Sequence, residues 1–277
     1  MIIIDNNQII LATIFATIQN GEVDENKLRH VVLNTYRMYR NKFRKEYGEL
    51  VIANDSKDYW RKDIFPYYKA NRKKDQKKSK FDWPMIFEHL NQIRDEIRDV
   101  FPFRNLTVEH AEADDIIAVL VKKFHATEKI VIVSNDKDFQ QLQRFKNVSQ
   151  YSPMKKKLLV CEDPEKFLLD HIIKGDASDG IPNILSVDDV LVNPDKRQTP
   201  CGVRKMEQIK EDLNEWTKTS NWDRNNRLIN MQHIPEQIEQ YVLDEYSKPL
   251  NSDSSKVLSY FIQKRMRNLM ENIQEFV

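Results

Sequence analysis

Residues 130–138 read Ile-Val-Ile-Val-Ser-Asn-Asp-Lys-Asp, four β-branched residues running directly into a turn that bears two carboxylates. A β-branched run this short, bounded by polar residues, has the composition of a buried strand. The same arrangement occurs twice nearer the N-terminus. Ile2-Ile3-Ile4 leads to Asp5, and Leu50-Val51-Ile52-Ala53-Asn54 leads to Asp55. Helix-period stretches lie between these runs: 85–101 carries Ile86, Leu90, Ile93, Ile97 and Val100 on one stripe, and 112–124 carries Ile116, Val119 and Leu120. Strands alternating with helices predict an α/β fold, with a mainly parallel central sheet and flanking helices. In such a sheet the three strand tips fall on the carboxyl edge, where open α/β sheets hold their ligands.

That edge is expected to be crowded with acids. Asp5, Asp55, Asp136 and Asp138 follow the strands, Glu112, Asp114 and Asp115 open a helix, and Asp176 and Asp179 lie in GDASDGIP at 175–182. Any one of these is ordinary turn or N-cap chemistry. Five or more carboxylates at one edge repel each other, and a fold tolerates that only if cations neutralise them or some pKa values rise. The six histidines and two cysteines form no pair with metal-ligand spacing. An all-oxygen donor set selects a hard cation, so Mg²⁺ is expected, with Mn²⁺ able to substitute. Two such ions about 4 Å apart are the arrangement for phosphodiester hydrolysis by water, with no Ser or Cys nucleophile.

Composition excludes other chemistries. Only five glycines occur, at 21, 48, 175, 180 and 202, and Ile181-Pro182 stands where a P-loop spaced on Gly175 and Gly180 needs Lys and Ser/Thr, so glycine-rich phosphate loops are ruled out. Cys161 and Cys201 belong to no disulfide framework, and no stretch offers about 18 uncharged apolar residues, so a cytoplasmic location and no membrane association are expected. The formal charge of +1 hides a strong local asymmetry. Between Lys57 and Lys80 there are ten Lys/Arg against three acids, with Tyr59, Trp60, Phe65, Tyr67 and Tyr68 interleaved in the first half. Cations that screen phosphates, mixed with aromatic faces that stack on bases, suit single-stranded nucleic acid. Arg61, Lys62, Tyr67, Tyr68, Lys69, Arg72, Lys73 and Lys74 are the candidate contacts, and Lys69 and Arg72 are the residues expected to touch the reacting phosphate.

Asp5 and Asp55 after strands, YYKANR (67–72), EADDIIAVL (112–120), VSNDKDFQQL (133–142) and GDASDGIP (175–182) together resemble the structure-specific 5′ nucleases, the family of flap endonucleases and phage 5′ exonucleases. The likeness is strongest to the T-even phage ribonuclease H branch, through YWRKD (59–63), IAVLVKKF (117–124), YSPM (151–154), RQTP (197–200) and NIQEF (272–276). The resemblance implies two Mg²⁺ ions. Asp5, Asp55, Glu112 and Asp114 would hold the first, with Asp115 nearby, and Asp136, Asp138, Asp176 and Asp179 the second. It further implies Lys69 and Arg72 as phosphate contacts of a helical arch at 57–80, and a helix–three-turn–helix duplex-binding motif beginning near Pro164. One departure is visible: the family's Gly-Ile-Gly hairpin is replaced by Asn183 onward and a polar insertion to about 205.

The expected organisation is an α/β nuclease core at 1–160 with its arch, and a helical duplex-binding and C-terminal region at 161–277. In the latter, 193–202 reads as an ordered loop and 247–256 as a linker ahead of one last helix carrying Leu258, Phe261, Ile262, Leu269 and Ile273 in the core. The implied substrates are DNA duplexes with a 5′ flap, nick or end, and RNA–DNA hybrids. The implied partners are a phage single-stranded-DNA-binding protein and a sliding clamp, and the implied state is a monomer in the infected host cell. A PIN-type ribonuclease would also place acids at strand tips but would not need GDASDGIP, and a non-catalytic binding module would have lost ligands.

Overall fold

The structure, a computed structural model, describes residues 1–19, 21–250 and 253–277, without the side chains of Gln19 and of residues 73–75. Its strands are β1 (Ile2–Asp5), β2 (Ile18–Gln19), β3 (Glu22–Val23), β4 (Leu50–Asn54), β5 (Arg104–Thr107), β6 (Ile130–Val133), β7 (Val148–Ser152) and β8 (Lys157–Leu159). The helices of the first 174 residues are α1 (Asn6–Thr17), α2 (Glu25–Tyr47), α3 (Trp60–Ile64), α4 (Ala70–Lys78), α5 (Trp83–Val100), α6 (Ala113–Phe124) and α7 (Pro164–Lys174). Then follow α8 (Val203–Glu211), α9 (Leu213–Trp216), α10 (Ser220–Ile229), α11 (Glu236–Ser247), α12 (Ser254–Gln263) and α13 (Arg267–Met270).

Six of these strands form one sheet in the order β5-β4-β1-β6-β7-β8, parallel except for the β7–β8 hairpin, while β2 and β3 pair separately. The chain runs outward from β1 through β4 to β5, then returns to the other side of β1 for β6 and β7. Strand order therefore reverses beside β1, which places the crevice of the carboxyl edge there. Side chains alternate strictly between the two faces. Ile2, Ile4, Leu50, Ile52, Val131 and Val133 join one core with α1, α2 and α5, whereas Ile3, Val51, Ala53, Ile130 and Ile132 join a second core with α6 and α11. Both faces are covered, which is why these strands read as unbroken apolar runs.

The three expected strands and the helices at 85–101 and 112–124 are present within two residues of their expected ends. Strands β5 and β7 carry little apolar signal. Arg-Asn-Leu-Thr buries only Leu106, and β7 holds Gln150 and Ser152 in the interior through hydrogen bonds rather than hydrophobicity. The last helix is corrected: it breaks at Lys264–Met266, with Arg265 at φ 57°, and continues as α13. Val257, Tyr260 and Phe261 face the core, while Leu258 and Ile262, expected inside, are exposed. Part of the expected linker, residues 251–252, lies outside the described residues. The insertion is ordered as expected, since Asn183 donates from Nδ2 to Thr199 O at 2.8 Å and accepts from Ser186 Oγ at 2.7 Å.

Packing joins the two expected regions. Helices α12 and α13 and Phe276 close the core that contains β1, and Arg40 of α2 donates to Glu275 O at 2.6 Å. A third, smaller core joins Phe65 and Tyr68 to Ile172, Ile173, Ile181, Met206, Ile209 and Trp222. The base of the basic segment is thus built into the helical region that follows α7. Among the described residues, no helix is long and apolar enough to cross a membrane.

Candidate active site at the carboxyl edge of the sheet

Asp5, Asp55, Asp114 and Asp136 line one cleft of about 1120 Å³, together with Lys62, Lys69 and Arg72 from the basic segment. Asp5 closes β1 at the point where strand order reverses, and its Oδ2 accepts from Ser134 Oγ at 2.9 Å. Asp55 is held from both sides: Asn7 Nδ2 donates to its Oδ2 at 2.6 Å, and the Ala113 backbone N–H donates to its Oδ1 at 2.8 Å. That second bond ties the tip of β4 to the first turn of α6, so Asp55 and Asp114 share a rim. Asp136 caps the 3₁₀ turn of 137–144 by accepting from the Asp138 N–H at 2.9 Å.

The electrostatics are those of an uncompensated acid cluster. Burial, followed by the charges of Asp55 and Asp136, pushes the Asp5 carboxyl up to about 7. Burial and Asp136 likewise push Asp138 up to about 7, and the same pair of causes raises Asp114 well above the carboxylate range. Asp55 is raised by burial, although Lys69 opposes the shift. Hard oxygen donors that repel one another in a shared crevice are a fitting set for divalent cations.

Folded Asp5 holds a proton that the unfolded chain, with a carboxyl near 4, releases. Its contribution is intact below about pH 4 and is lost as pH rises through about 7, so the metal-free protein weakens toward alkaline pH. Asp5→Asn removes the penalty. Its metal-free Tm at pH 8 is expected to exceed that of the wild type by about 5 °C or more, with at most half of the gain left at pH 5. Differential scanning calorimetry at the two pH values checks this, and equal gains would show that charge is not the cause.

The remaining predicted acids other than Asp115 divide into three settings. Glu112, 1% exposed, faces cations: Arg61 Nη1 lies 2.9 Å from its Oε2, Tyr68 OH donates to the same oxygen at 2.8 Å, and Lys69 Nζ pairs with Oε1. Against the cost of burial, Lys69 and Arg61 hold the Glu112 carboxyl below its ordinary range. Asp179 receives Arg72 Nη2 at 2.7 Å and Tyr68 OH at 3.2 Å, and its carbonyl accepts from the Lys69 N–H at 2.7 Å. Asp138 and Asp176 sit beside a histidine, His171 of α7, which the sequence reading passed over. His171 Nε2 lies 3.1 Å from Asp176 Oδ2, and its Nδ1 lies 3.5 Å from Asp138 Oδ1. Only its position five residues before Asp176, one helical turn back from the acidic loop, could have flagged it.

Gly180 permits the close approach of arch base and acidic turn. It sits at φ 77°, and a Cβ there would lie 2.7 Å from Tyr67 O. Lys69 adopts φ 55°, an uncommon conformation for a side-chain-bearing residue, held by its bonds to Asp179 and Glu112.

Three expectations are corrected. Asp115 is fully buried, and its carboxylate is occupied by Arg61, by Trp60 Nε1 at 3.1 Å and by the Glu112 N–H at 2.9 Å, so it faces away from the cleft. Arg61, expected at the nucleic acid, lies inside instead: its side chain is 4% exposed and bridges Glu112 and Asp115 while donating from Nε to Leu228 O. Tyr68 is likewise interior, with its hydroxyl spent on Glu112 and Asp179. Lys62 and Arg72 are exposed as expected, and Tyr67 is half-buried against Phe65. The side chains of Lys73 and Lys74 lie outside the described residues.

Residues 1–168 match the family of the 5′-3′ exonuclease N-terminal resolvase-like domain, and residues 163–276 match the T4 RNase H C-terminal family. The chain belongs to the 5′-3′ exonuclease family. The ribonuclease H of Enterobacteria phage T4 is 31% identical over 290 residues, spanning 99% of this chain and 95% of that protein. DNA polymerase I of Rhizobium leguminosarum is 34% identical over 143 residues, 48% of this chain and 13% of the polymerase. In fold, the chain is similar to the bacteriophage T5 flap endonuclease in a pseudo-enzyme-product complex with DNA and metal ions, with a TM-score of 0.62, 18% identity, and coverage of 89% of this chain and 99% of that one. Membership in this family makes the protein a phosphodiester-hydrolysing nuclease.

Proposed function

We propose that this protein is a Mg²⁺-dependent 5′→3′ exonuclease and flap endonuclease of phage DNA replication, which removes RNA primers, as a ribonuclease H, together with adjacent DNA. The observation that carries the reading is the convergence of Asp5, Asp55, Asp114 and Asp136, from four separate segments, on one cleft that Lys69 and Arg72 also line. Asp5, Asp55, Glu112 and Asp114 would hold one ion, and Asp136, Asp138, Asp176 and Asp179 a second. When bound, such ions activate water and neutralise charge on the leaving oxygen. Mn²⁺ is expected to substitute.

The chain's own groups bind and orient. Lys69 and Arg72, now paired with Glu112 and Asp179, are positioned to exchange those carboxylates for the oxygens of a scissile phosphate once cations satisfy the acids. Lys62 reaches the same cleft and would contact flanking phosphates, with Lys73, Lys74 and Tyr67 further along the arch. Contacts to backbone rather than base edges imply recognition by shape, with RNA tolerated in the 5′ strand. The turn at 175–182 after α7 is the proposed duplex-gripping part of a helix–three-turn–helix motif, and residues 161–277 the proposed duplex-binding region. By likeness to the phage T4 protein, the proposed setting is a monomer in the cytoplasm of an infected cell, working with a single-stranded-DNA-binding protein and a sliding clamp.

A 5′-labelled DNA flap and a 5′-labelled RNA–DNA hybrid incubated with Mg²⁺ are both expected to yield short 5′ products, and EDTA to abolish them. Cleavage that persists in EDTA, or products released from the 3′ end, would refute the proposal.

A further inference from the structure

We infer that His171 is a nitrogen ligand to a divalent cation it shares with Asp138, oriented by Asp176, so that this position favours a first-row transition ion such as Mn²⁺ over Mg²⁺. The inference rests on the reading of the carboxyl edge as a metal site and changes its donor set. His171 is 6% exposed, and its Nδ1 has no hydrogen-bond partner among the described residues. The atom it faces, Asp138 Oδ1 at 3.5 Å, has none either. Two buried, unpartnered polar atoms aimed at each other cost free energy unless something joins them.

The partners of Asp176 fix which ring nitrogen carries the proton. Its Oδ2 lies 3.1 Å from His171 Nε2 and 3.0 Å from Lys137 Nζ, and its Oδ1 accepts from the Ser178 N–H at 2.9 Å and from Ser178 Oγ. A carboxylate so surrounded by donors accepts from Nε2–H, which leaves Nδ1 as a lone pair directed at Asp138. A carboxylate that holds one imidazole N–H while the other nitrogen binds metal is the usual arrangement around ligating histidines. At 3.5 Å the two atoms are too far apart for a good hydrogen bond, yet close enough for both to lie about 2.1 Å from one ion. Ligand atoms of Asp138, His171 and Asp176 all lie within 4.8 Å of one another. A mixed imidazole and carboxylate set binds Mn²⁺, Co²⁺ or Zn²⁺ in preference to Mg²⁺, which rarely takes nitrogen. Asp176 on this view positions the ligand rather than binding the ion itself.

The test is electron spin-echo envelope modulation on the full-length protein loaded with Mn²⁺. Modulation from ¹⁴N is expected, shifting in frequency when the protein is made with ¹⁵N-histidine, a comparison that needs no variant. In His171→Gln the modulation is expected to disappear, and Mn²⁺ affinity at that position to fall about tenfold or more, with Mg²⁺ affinity changed far less. Mn²⁺ that binds without nitrogen modulation would overturn the role of His171 while leaving the carboxylate metal site intact. Failure of the protein to bind Mn²⁺ at all would overturn both. Nitrogen modulation that survives in a folded His171→Gln protein would assign the ligand elsewhere and likewise sink the inference.

Discussion

Asp136→Asn is expected to lower the rate of flap cleavage by about 10³-fold at saturating Mg²⁺ while leaving the metal-free protein at least as stable as the wild type. Asp136 stands between the two acid groups: its charge raises the carboxyls of Asp5, Asp114 and Asp138 alike. Asparagine keeps the oxygen that caps the Asp138 N–H and removes only the charge. Charge stabilisation worth several kcal/mol in the transition state, at about 1.4 kcal/mol per factor of ten, corresponds to roughly three orders of magnitude. A residue that merely supported the fold would show the opposite signature, with stability lost and residual activity per folded molecule retained. Single-turnover cleavage and thermal unfolding, measured on the same preparation, separate the two. A variant with more than a tenth of wild-type activity would remove Asp136 from the site.

Arg61→Met is expected to destabilise the protein by about 3–5 kcal/mol, or about 10 °C in Tm, while the salt dependence of DNA binding by the folded fraction is unchanged. The guanidinium is the only strong positive charge reaching Asp115 among the described residues, and it also supplies Glu112. Its loss would leave the fully buried Asp115 without its counter-ion and Glu112 with Lys69 alone. Removing one partner of a buried ion pair costs far more than the pair itself contributes. The double variant Arg61→Met/Asp115→Asn should therefore recover part of the loss, because it withdraws the stranded charge. A Tm within 2 °C of wild type in the single variant, or a reduced salt slope, would return Arg61 to the nucleic-acid surface.

These two residues also separate what patterning can and cannot reveal. Asp136 was legible because its cue is local: a four-residue β-branched run ends, an acid follows, and the parallel sheet fixes the side of the molecule on which that acid emerges. The same reasoning located Asp5 and Asp55, and it failed only for weakly apolar strands such as Arg104–Thr107. Arg61 misled because a basic, aromatic-rich segment looks the same whether its cations meet phosphate or buried carboxylate. Trp60, Arg61 and Tyr68 turn inward, while Lys62 and Arg72 turn out, and that choice depends on α6 and α10 packing beneath the segment.

The amino-acid sequence by itself determined the parallel sheet, its acid-rich carboxyl edge and the class of chemistry that edge supports, since strand periodicity and residue type act over a few neighbours. Only the tertiary structure decided which acids face the cleft and which are neutralised behind it, and that His171 meets Asp138. Those outcomes depend on contacts between residues 33 to 167 positions apart, such as His171 with Asp138 and Arg61 with Leu228, and no local pattern encodes the desolvation and pairing that such contacts impose.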